Sequence, residues 1–333
     1  MSADDRETAA MAQVHRRVMQ AARDAARDGD AATLAIVVET EGSTYARRGA
    51  MALFGVRCGQ VGWLSGGCLE PEIALRAHAA AESGQVDWMD IDTRDDEDLL
   101  SGSAVGCRGR LHLMLLPLSA VPGWEAVVQA WWQAQPLSLG IRLAADATQV
   151  TLDAGDRQWT LACRGTATAS RFAFTLAPPP TLTVFGGGPE TPFLLPLLRD
   201  AGWVTALVER RARWLPQPLH AHAADTLQQQ APSTVVAGWQ ARVPDAVLVM
   251  HHNFELDRET LELLAGTPVR FIGLLGPSRR REDLFKLLPI AAREALTPRL
   301  RSPVGLDLGG QGAEAISLSI AAQLQAWRHG RDA

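Results

Sequence analysis

The stretch TLTVFGGGPETPFLLPLLRDAGWVTALVERR, residues 181–211, decides the fold of the second half of this chain. A β-branched, apolar run leads into three glycines, and then come a helical stretch, a second apolar run and an acidic residue. These are the parts of a nucleotide-binding βαβ unit, in which a glycine-rich turn lets the backbone approach phosphate groups. Gly186, Gly187 and Gly188 are therefore candidate phosphate-binding residues. Glu209, 21 residues after Gly188, is a candidate ligand for ribose hydroxyls.

The match to the dinucleotide-binding pattern is incomplete. Thr191 stands where the pattern has its third glycine, and prolines crowd the start of the helix at positions 189, 192 and 196. A proline beyond the first helical turn also costs a backbone hydrogen bond. The residues therefore predict the sheet more firmly than they predict a bound dinucleotide, and NAD(P) binding stays open as an alternative.

Strands and helices continue to alternate after this unit. Apolar runs predict strands at TVVAG (234–238), DAVLVM (245–250) and VRFIGLLG (269–276), while RETLELLA and EAISLSIAAQLQAWRHG predict helices. Alternation of this kind implies a mostly parallel, doubly wound sheet. We predict a Rossmann-like C-terminal domain over residues 179–333.

The first part of the chain predicts a different α/β domain, with a mixed sheet, over residues 1–120. Residues 11–28 carry a helical apolar stripe, and a second helix is predicted from Pro71 to about Ala81. The predicted strands are TLAIVV, MALF, VDWMDID and RLHLMLLPL. Residues 121–178 read as a β-rich connecting segment with one helix, closed by the linker APPP, because consecutive prolines cannot join a helix or a central strand.

Composition excludes several function classes. The chain has 333 residues, 47% hydrophobic and 21% charged, which is typical of a globular protein and long enough for two domains. The net charge of −5 and the lack of a Lys/Arg run argue against nucleic acid binding. No window of 18 uninterrupted apolar residues and no signal peptide is visible, so we expect no membrane span and a cytoplasmic protein.

The segment GWLSGGCLEPE (62–72) is the first candidate site. Gly66 and Gly67 let backbone N–H groups face a ligand without a Cβ in the way. Cys68 follows at or just before a predicted helix N-terminus. Glu70 complements the helix dipole there and is, like Cys68, a candidate cofactor-binding residue. Such a corner suits a soft metal, a sulfur donor or a bound phosphate. A tight turn with a buried cysteine is the alternative, since a cysteine is often a small buried hydrophobe.

Two further loops carry similar chemistry. EGSTYARRGA (41–50) offers the donors of Ser43 and Thr44, and Arg47 can bind phosphate or carboxylate oxygens. GCRG (106–109) places Cys107 between glycines and a cation. Each loop is also consistent with an ordinary solvated or buried segment.

The segment MHHNFELD (250–257) contains two histidines, an amide and two carboxylates just after a predicted strand. Histidine is a general base or metal ligand by type, so His252 is a candidate cofactor-binding residue. Helix capping is the equally weighted alternative for this segment.

Six motifs in this order resemble the XdhC/CoxF family, the accessory proteins of xanthine dehydrogenase and related molybdenum hydroxylases. The resemblance runs from about residue 33 to 327 and weakens in the middle. The motifs are EGSTYARRGA with GGCLEPE, then GCRG, GGGPE, HNFELD, FIGLLGPSRRR and PVGLDLGGQGAEAISLSI. This chain departs from the family pattern at 251–253, where it has His-His-Asn instead of a hydroxyl-His-Asp run, and at Gly310-Gln311-Gly312.

The resemblance implies a cofactor-maturation chaperone and not a catalyst. Such a protein binds the molybdenum cofactor (molybdopterin), helps it acquire sulfur from a cysteine desulfurase and delivers it to an apo molybdenum hydroxylase. Cys68 and Cys107 would then contact molybdenum, with Gly66, Gly67, Ser43, Thr44 and Arg47 around the pterin phosphate. The sequence leaves open whether the pterin carries an added nucleotide. We expect a homodimer, and an NAD(P)-dependent oxidoreductase is the rival function.

Overall fold

The computed structural model describes residues 3–93, 109–215, 224–240 and 242–331, with side chains from residue 16 onward. The chain divides into two compact units, Met1–Pro179 and Pro180–Ala333. The division falls within the APPP stretch. None of the helices in the described ranges combines the length and the apolar character needed to cross a lipid bilayer.

The first unit is built on one mixed sheet. Its helices are α1 (Ala3–Asp28), α2 (Glu70–Ser83) and α3 (Trp124–Trp132). Its strands are β1 (Ala32–Gly42), β2 (Met51–Gly55), β3 (Gly59–Val61), β4 (Val86–Asp92), β5 (Gly109–Pro117), β6 (Leu137–Leu143), β7 (Gln149–Ala154), β8 (Arg157–Arg164) and β9 (Arg171–Leu176). They lie in the order β3-β2-β1-β5-β4-β8-β7-β6-β9. Residues 121–178, predicted as a separate segment, thus add α3 and four strands to this unit.

The central strand β1 is buried on both faces because its side chains alternate between two apolar layers. Leu34, Ile36 and Val38 belong to the core that contains residues of α1, whereas Ala35 and Val37 belong to the core that contains residues of α2. The unbroken apolar run TLAIVV is therefore explained by a strand covered on both sides.

The two halves of this sheet meet at β4 and β8. This pair is parallel and has two registered residue pairs, Val86 with Cys163 and Asp87 with Arg164. The buried Asp87 carboxylate accepts hydrogen bonds from Arg76 of α2 at 2.7 and 3.0 Å, and Arg164 lies 3.6 Å away. Asp87 therefore links α2 and β8 at the junction.

The second unit is a doubly wound parallel sheet, as the sequence predicts. Its strands are β10 (Thr181–Phe185), β11 (Val204–Val208), β12 (Thr226–Gln228), β13 (Ala246–Val249), β14 (Phe271–Leu274) and β15 (Leu300–Arg301). Its helices are α4 (Thr191–Asp200), α5 (Pro232–Ala237), α6 (Phe254–Ala265), α7 (Ser278–Leu287), α8 (Ile290–Leu296) and α9 (Gly312–Arg328). The strand order β12-β11-β10-β13-β14-β15 is that of a Rossmann fold, and the order reverses between β10 and β13.

One predicted strand of this unit is wrong. TVVAG (234–238) favours a strand because of its β-branched residues, but residues 232–237 form α5. Pro232 stands at the start of this helix, where its fixed φ and missing N–H are tolerated. The third strand of the sheet, β12, comes instead from the polar stretch Thr226–Gln228.

Candidate functional site

The glycine-rich corner before α2 presents Cys68 to solvent. Gly66 and Gly67 have φ values of 75° and 111°, in the left-handed region that side chains disfavour, so the turn depends on glycine. The helix begins at Glu70 with Leu69 as its N-cap residue, which places Cys68 just before the helix. The thiol is therefore available for chemistry, and the alternative of a buried cysteine does not apply at this position.

Glu70 does not face a ligand, although the sequence makes it a candidate. Its side chain is buried, and one carboxylate oxygen accepts hydrogen bonds from the backbone N–H groups of Leu64 and Ser65 at 2.9 and 2.8 Å. The other oxygen accepts from the Ser65 hydroxyl and from the Gly67 N–H. Burial opposes ionisation of Glu70, but these hydrogen bonds hold its pKa below the ordinary value. Glu70 organises the turn that displays Cys68.

The loop after β1 lies against the same corner. A small pocket is lined by Thr44 and Tyr45 of that loop, by Ser65 and Leu69 of the corner, and by Thr93 and Gly109. The Thr44 hydroxyl donates to the Ala46 carbonyl oxygen at 2.7 Å. The structure thus brings the two predicted loops together around one pocket.

Ser43 and Arg47 of this loop are exposed. The backbone carbonyl of Ser43 lies 2.6 Å from the position that a Cβ on Gly109 would occupy, so only glycine fits at residue 109. Arg47 is available to an anionic ligand, which is consistent with the predicted phosphate contact.

Cys107 lies outside the described residues, so its predicted place beside Cys68 stays a prediction. Thr93 and Gly109, the described residues on either side of positions 94–108, are joined by hydrogen bonds and line the pocket. Cys58 and Cys163 are half-buried, and burial raises the pKa of both thiols. Among the cysteines that the structure describes, Cys68 is the exposed one.

Neighbouring loops of the protein pack closely against the glycine-rich turn of the second unit. Gly186, Gly187 and Gly188 are all buried. A Cβ on Gly186 would lie 2.4 Å from the His251 Cα, and a Cβ on Gly187 would lie 2.6 Å from the Trp214 carbonyl oxygen. The glycines are needed here for close packing against neighbouring loops.

Glu209 accepts the hydrogen bond of the backbone N–H that a bound phosphate would need. Its side chain is 2% exposed, and its Oε2 accepts a hydrogen bond from the Gly187 N–H at 2.8 Å. Arg211 donates to the same carboxylate through its backbone N–H at 2.6 Å and its guanidinium at 2.5 Å. Burial opposes ionisation of Glu209, but the Arg211 contacts hold its pKa below the ordinary value.

Two histidine–carboxylate pairs lie next to this turn. His252 Nε2 is 2.9 Å from the buried Glu190 carboxylate, and the hydrogen bond raises the pKa of His252. His252 also stacks on Trp214, and its Nε2 lies 2.6 Å from the position of a Cβ on Gly188. His251 Nδ1 is 3.0 Å from Asp257 Oδ1.

Asp257 has a second partner. Its Oδ2 accepts hydrogen bonds from the Arg280 guanidinium at 2.5 and 3.2 Å. Asn253 caps α6 by accepting the Leu256 N–H, so the capping interpretation of this segment is correct for that residue.

A dinucleotide does not fit this arrangement. The Gly187 N–H is already used by Glu209, His252 covers Gly188, and the Glu190 carboxylate stands at the N-terminus of α4, where it repels a phosphate. Glu209 therefore serves the turn and is not presented to a ribose. The geometry offers no support for the NAD(P)-dependent oxidoreductase.

Several site residues were missed by the sequence reasoning. Tyr45 and Ser65 stand inside the motifs quoted above, whereas Glu190, Arg211, Asp257 and Arg280 belong to the second unit. A charged residue two positions after Glu209 was the one available signal for the Arg211 ion pair. Within the described residues, no group of three or more His, Cys, Asp or Glu side chains is arranged to hold a metal ion.

Comparison with known proteins gives two family matches. Residues 25–91 match the model described as the XdhC and CoxI family, and residues 182–324 match the XdhC Rossmann domain. A probable xanthine dehydrogenase subunit from Bacillus subtilis is 26% identical over 314 residues, which cover 89% of this chain and 93% of that protein. "Uncharacterized protein YqeB" of Escherichia coli is 26% identical over 147 residues, 44% of this chain and 27% of that protein.

A solved structure is similar over almost the whole chain. The crystal structure of a xanthine dehydrogenase from Bacillus halodurans aligns with a TM-score of 0.75 and 25% identity. The alignment covers 95% of this chain and 96% of that chain. The likeness therefore includes both units.

Proposed function

Because this chain belongs to the XdhC and CoxI family, we propose that it is an accessory protein of a xanthine dehydrogenase-type molybdenum hydroxylase. In this role it binds the molybdenum cofactor, supports the sulfuration of that cofactor and inserts it into the apo-enzyme. The family matches over residues 25–91 and 182–324 confirm the family resemblance that the sequence motifs indicate.

The observation that carries the proposal is the exposed Cys68 thiol on a glycine turn. The donor set of the corner suits the cofactor: a soft sulfur for molybdenum and the exposed Arg47 for a phosphate. The Gly67 N–H, expected to face a ligand, is instead used by Glu70. When bound, the cofactor supplies the metal–sulfur centre. Cys68 would hold that centre, and Ser43, Thr44 and Arg47 would bind the phosphate side.

The partners follow from the role. A carrier of this kind needs a sulfur source, for which we propose a cysteine desulfurase, and a recipient, for which we propose an apo molybdenum hydroxylase. We also propose that the chain works as a homodimer. Cys107 remains a proposed second thiol of the same site.

Metal and pterin analysis of freshly isolated protein tests this function. The protein should be produced in a host that makes molybdopterin, and molybdenum should be measured by mass spectrometry and pterin by fluorescence after oxidation. We expect both in the wild type and a loss of most of each in Cys68→Ala. Cys163→Ala is the matched control, because it removes a half-buried thiol from the same unit, and it should retain both.

Two outcomes count against the proposal. A folded wild type without molybdenum and pterin contradicts cofactor binding. Equal retention in Cys68→Ala and Cys163→Ala removes Cys68 from the site.

A further inference from the structure

Two large aromatic side chains are exposed at the Cys68 corner. Trp63 is 54% exposed and Tyr45 is 60% exposed. All ten tryptophans of the chain lie in the described part, and Trp63 is the exposed one among them. Tyr45 is the single tyrosine of the chain. Isolated exposed hydrophobic residues are common on proteins, but two aromatic rings at one turn are not scattered singly.

Both rings lie against the glycine pair that precedes Cys68. A Cβ on Gly66 would lie 3.3 and 3.4 Å from two ring carbons of Tyr45, and a Cβ on Gly67 would lie 3.9 Å from Trp63 Cζ3. Each ring therefore borders the space next to one glycine of the turn. Cys68 is the next residue along the chain, and its side chain is exposed as both rings are.

Each ring carries a polar group at its edge, the hydroxyl of Tyr45 and the indole N–H of Trp63. Within the residues that the structure describes, neither the Tyr45 hydroxyl nor the Trp63 indole N–H has a hydrogen-bond partner. An aromatic side chain with a free polar edge can stack on a flat heterocycle and hydrogen-bond to its rim. The exposed Arg47, two residues after Tyr45, adds a cation that favours an anionic ligand over a purely apolar one.

We propose that Tyr45 and Trp63 form the stacking surface for the pterin ring of the molybdenum cofactor. This inference rests on the proposed function. Cys68 and Arg47 are the proposed contacts of the metal and the phosphate of the cofactor, and Tyr45 and Trp63 would recognise its ring system. Stacking supplies contact area at a low cost in side-chain entropy, because each aromatic residue has two side-chain torsions. Cys68 and the rings then bind opposite chemical ends of one ligand.

Binding of a free pterin tests the stacking surface without molybdenum. The probe is pterin-6-carboxylate, its affinity is measured by equilibrium dialysis, and its own fluorescence is quenched on stacking. We expect Trp63→Leu and Tyr45→Leu each to weaken binding by about tenfold, as removal of one stacked ring does elsewhere. Trp63→Phe and Tyr45→Phe keep a ring and should retain most of the affinity and the quenching.

Leu75→Ala is the matched control, because Leu75 is an exposed apolar residue on α2 of the same unit, and it should bind the probe as the wild type does. Equal probe affinity in the wild type and both leucine variants overturns the proposal. So does an equal loss in Leu75→Ala, or a leucine variant that binds the probe normally and fails only to activate a hydroxylase, since the rings would then contact a protein.

The two proposals fail in different ways. A wild type isolated without molybdenum and pterin contradicts the proposed function. A wild type that carries both, with leucine variants that carry as much, contradicts the stacking surface and leaves the proposed function standing.

Discussion

At the scale of single residues, Glu70 shows how a buried carboxylate can build a site without touching a ligand. It accepts hydrogen bonds from three backbone N–H groups and one hydroxyl. The donors of Leu64 and Ser65 are buried and would lose their partner if the carboxylate were removed, and each such loss is costly. The turn that carries Gly66, Gly67 and Cys68 therefore depends on the residue that begins α2.

We predict that Glu70→Gln lowers the free energy of unfolding by about 2–3 kcal/mol. The amide nitrogen of glutamine cannot accept the hydrogen bonds that a carboxylate oxygen accepted, so donors are left without a partner. Urea denaturation followed by circular dichroism measures this change. Glu72→Gln is the control, since Glu72 is exposed on the same helix and its replacement should change stability by less than about 0.5 kcal/mol. Equal midpoints for the two variants would refute the role given to Glu70.

A second residue-scale prediction concerns pH. The Glu190 hydrogen bond raises the pKa of His252, so the pair stabilises the second unit fully below the ordinary histidine pKa of 6.5. The stabilisation is lost as the pH rises through the higher pKa of the folded state. We expect His252→Asn to lower the thermal midpoint more at pH 6 than at pH 9. The effect should be at most about 1 kcal/mol, because the ring is partly exposed.

Asparagine suits this test because it also tolerates the positive φ of 50° at residue 252. His78→Asn serves as the control, since His78 is exposed on α2 of the other unit. If the wild type and His252→Asn differ by the same amount at both pH values, the ion pair does not contribute.

At the scale of elements, the turn between β10 and α4 has the backbone form of a dinucleotide site, but protein side chains occupy the place of the phosphate. We predict that the wild type shows no saturable binding of NAD⁺ or NADP⁺ up to millimolar concentrations in isothermal titration calorimetry. The phosphate would have to displace Glu209 from the Gly187 N–H and break the ion pair with Arg211. A dissociation constant in the micromolar range would contradict this prediction and would support the rival function of an NAD(P)-dependent oxidoreductase.

The sequence predicts elements whose signals are local. Apolar runs and three glycines were sufficient for the parallel sheet as a class and for most strands, but β9, β12 and β15 were not predicted. TVVAG failed because the preceding Pro232 favours a helix start, and the β-branched residues then pack as one face of α5. Strand propensity is decided by packing, which a short window does not contain.

Less of the candidate sites could be predicted, because contacts between residues distant along the chain are not visible in a short stretch of sequence. For Cys68, the neighbouring glycines left exposure and burial both open, and the structure shows the thiol exposed. The contact of Tyr45 with Gly66 and the covering of Gly188 by His252 join residues that are distant along the chain. The direction of the Glu209 side chain depends on Arg211 and on the Gly187 N–H, so its position was predicted correctly while its role was not.

At the scale of the whole molecule, the chain consists of two units that each enclose their own apolar cores. The cores of the first unit lie on the two faces of its mixed sheet, and those of the second unit lie on the two faces of its parallel sheet. Each unit thus has the covered sheet that stable α/β domains require. The residues to which the proposed function assigns the cofactor fall in the first unit, and the glycine turn that other loops of the protein cover falls in the second.

The narrow junction between β4 and β8 has a consequence for how this lineage can vary. Two registered residue pairs and the Asp87 ion pairs join the strands there, yet Leu139 and Leu152 beyond the junction share one apolar core with Leu34 of β1. Residues 92–181 also separate the two segments that match the family models. Variation beyond the junction should therefore be confined to surface loops, because deletion of these strands would expose the core face of β1 to solvent.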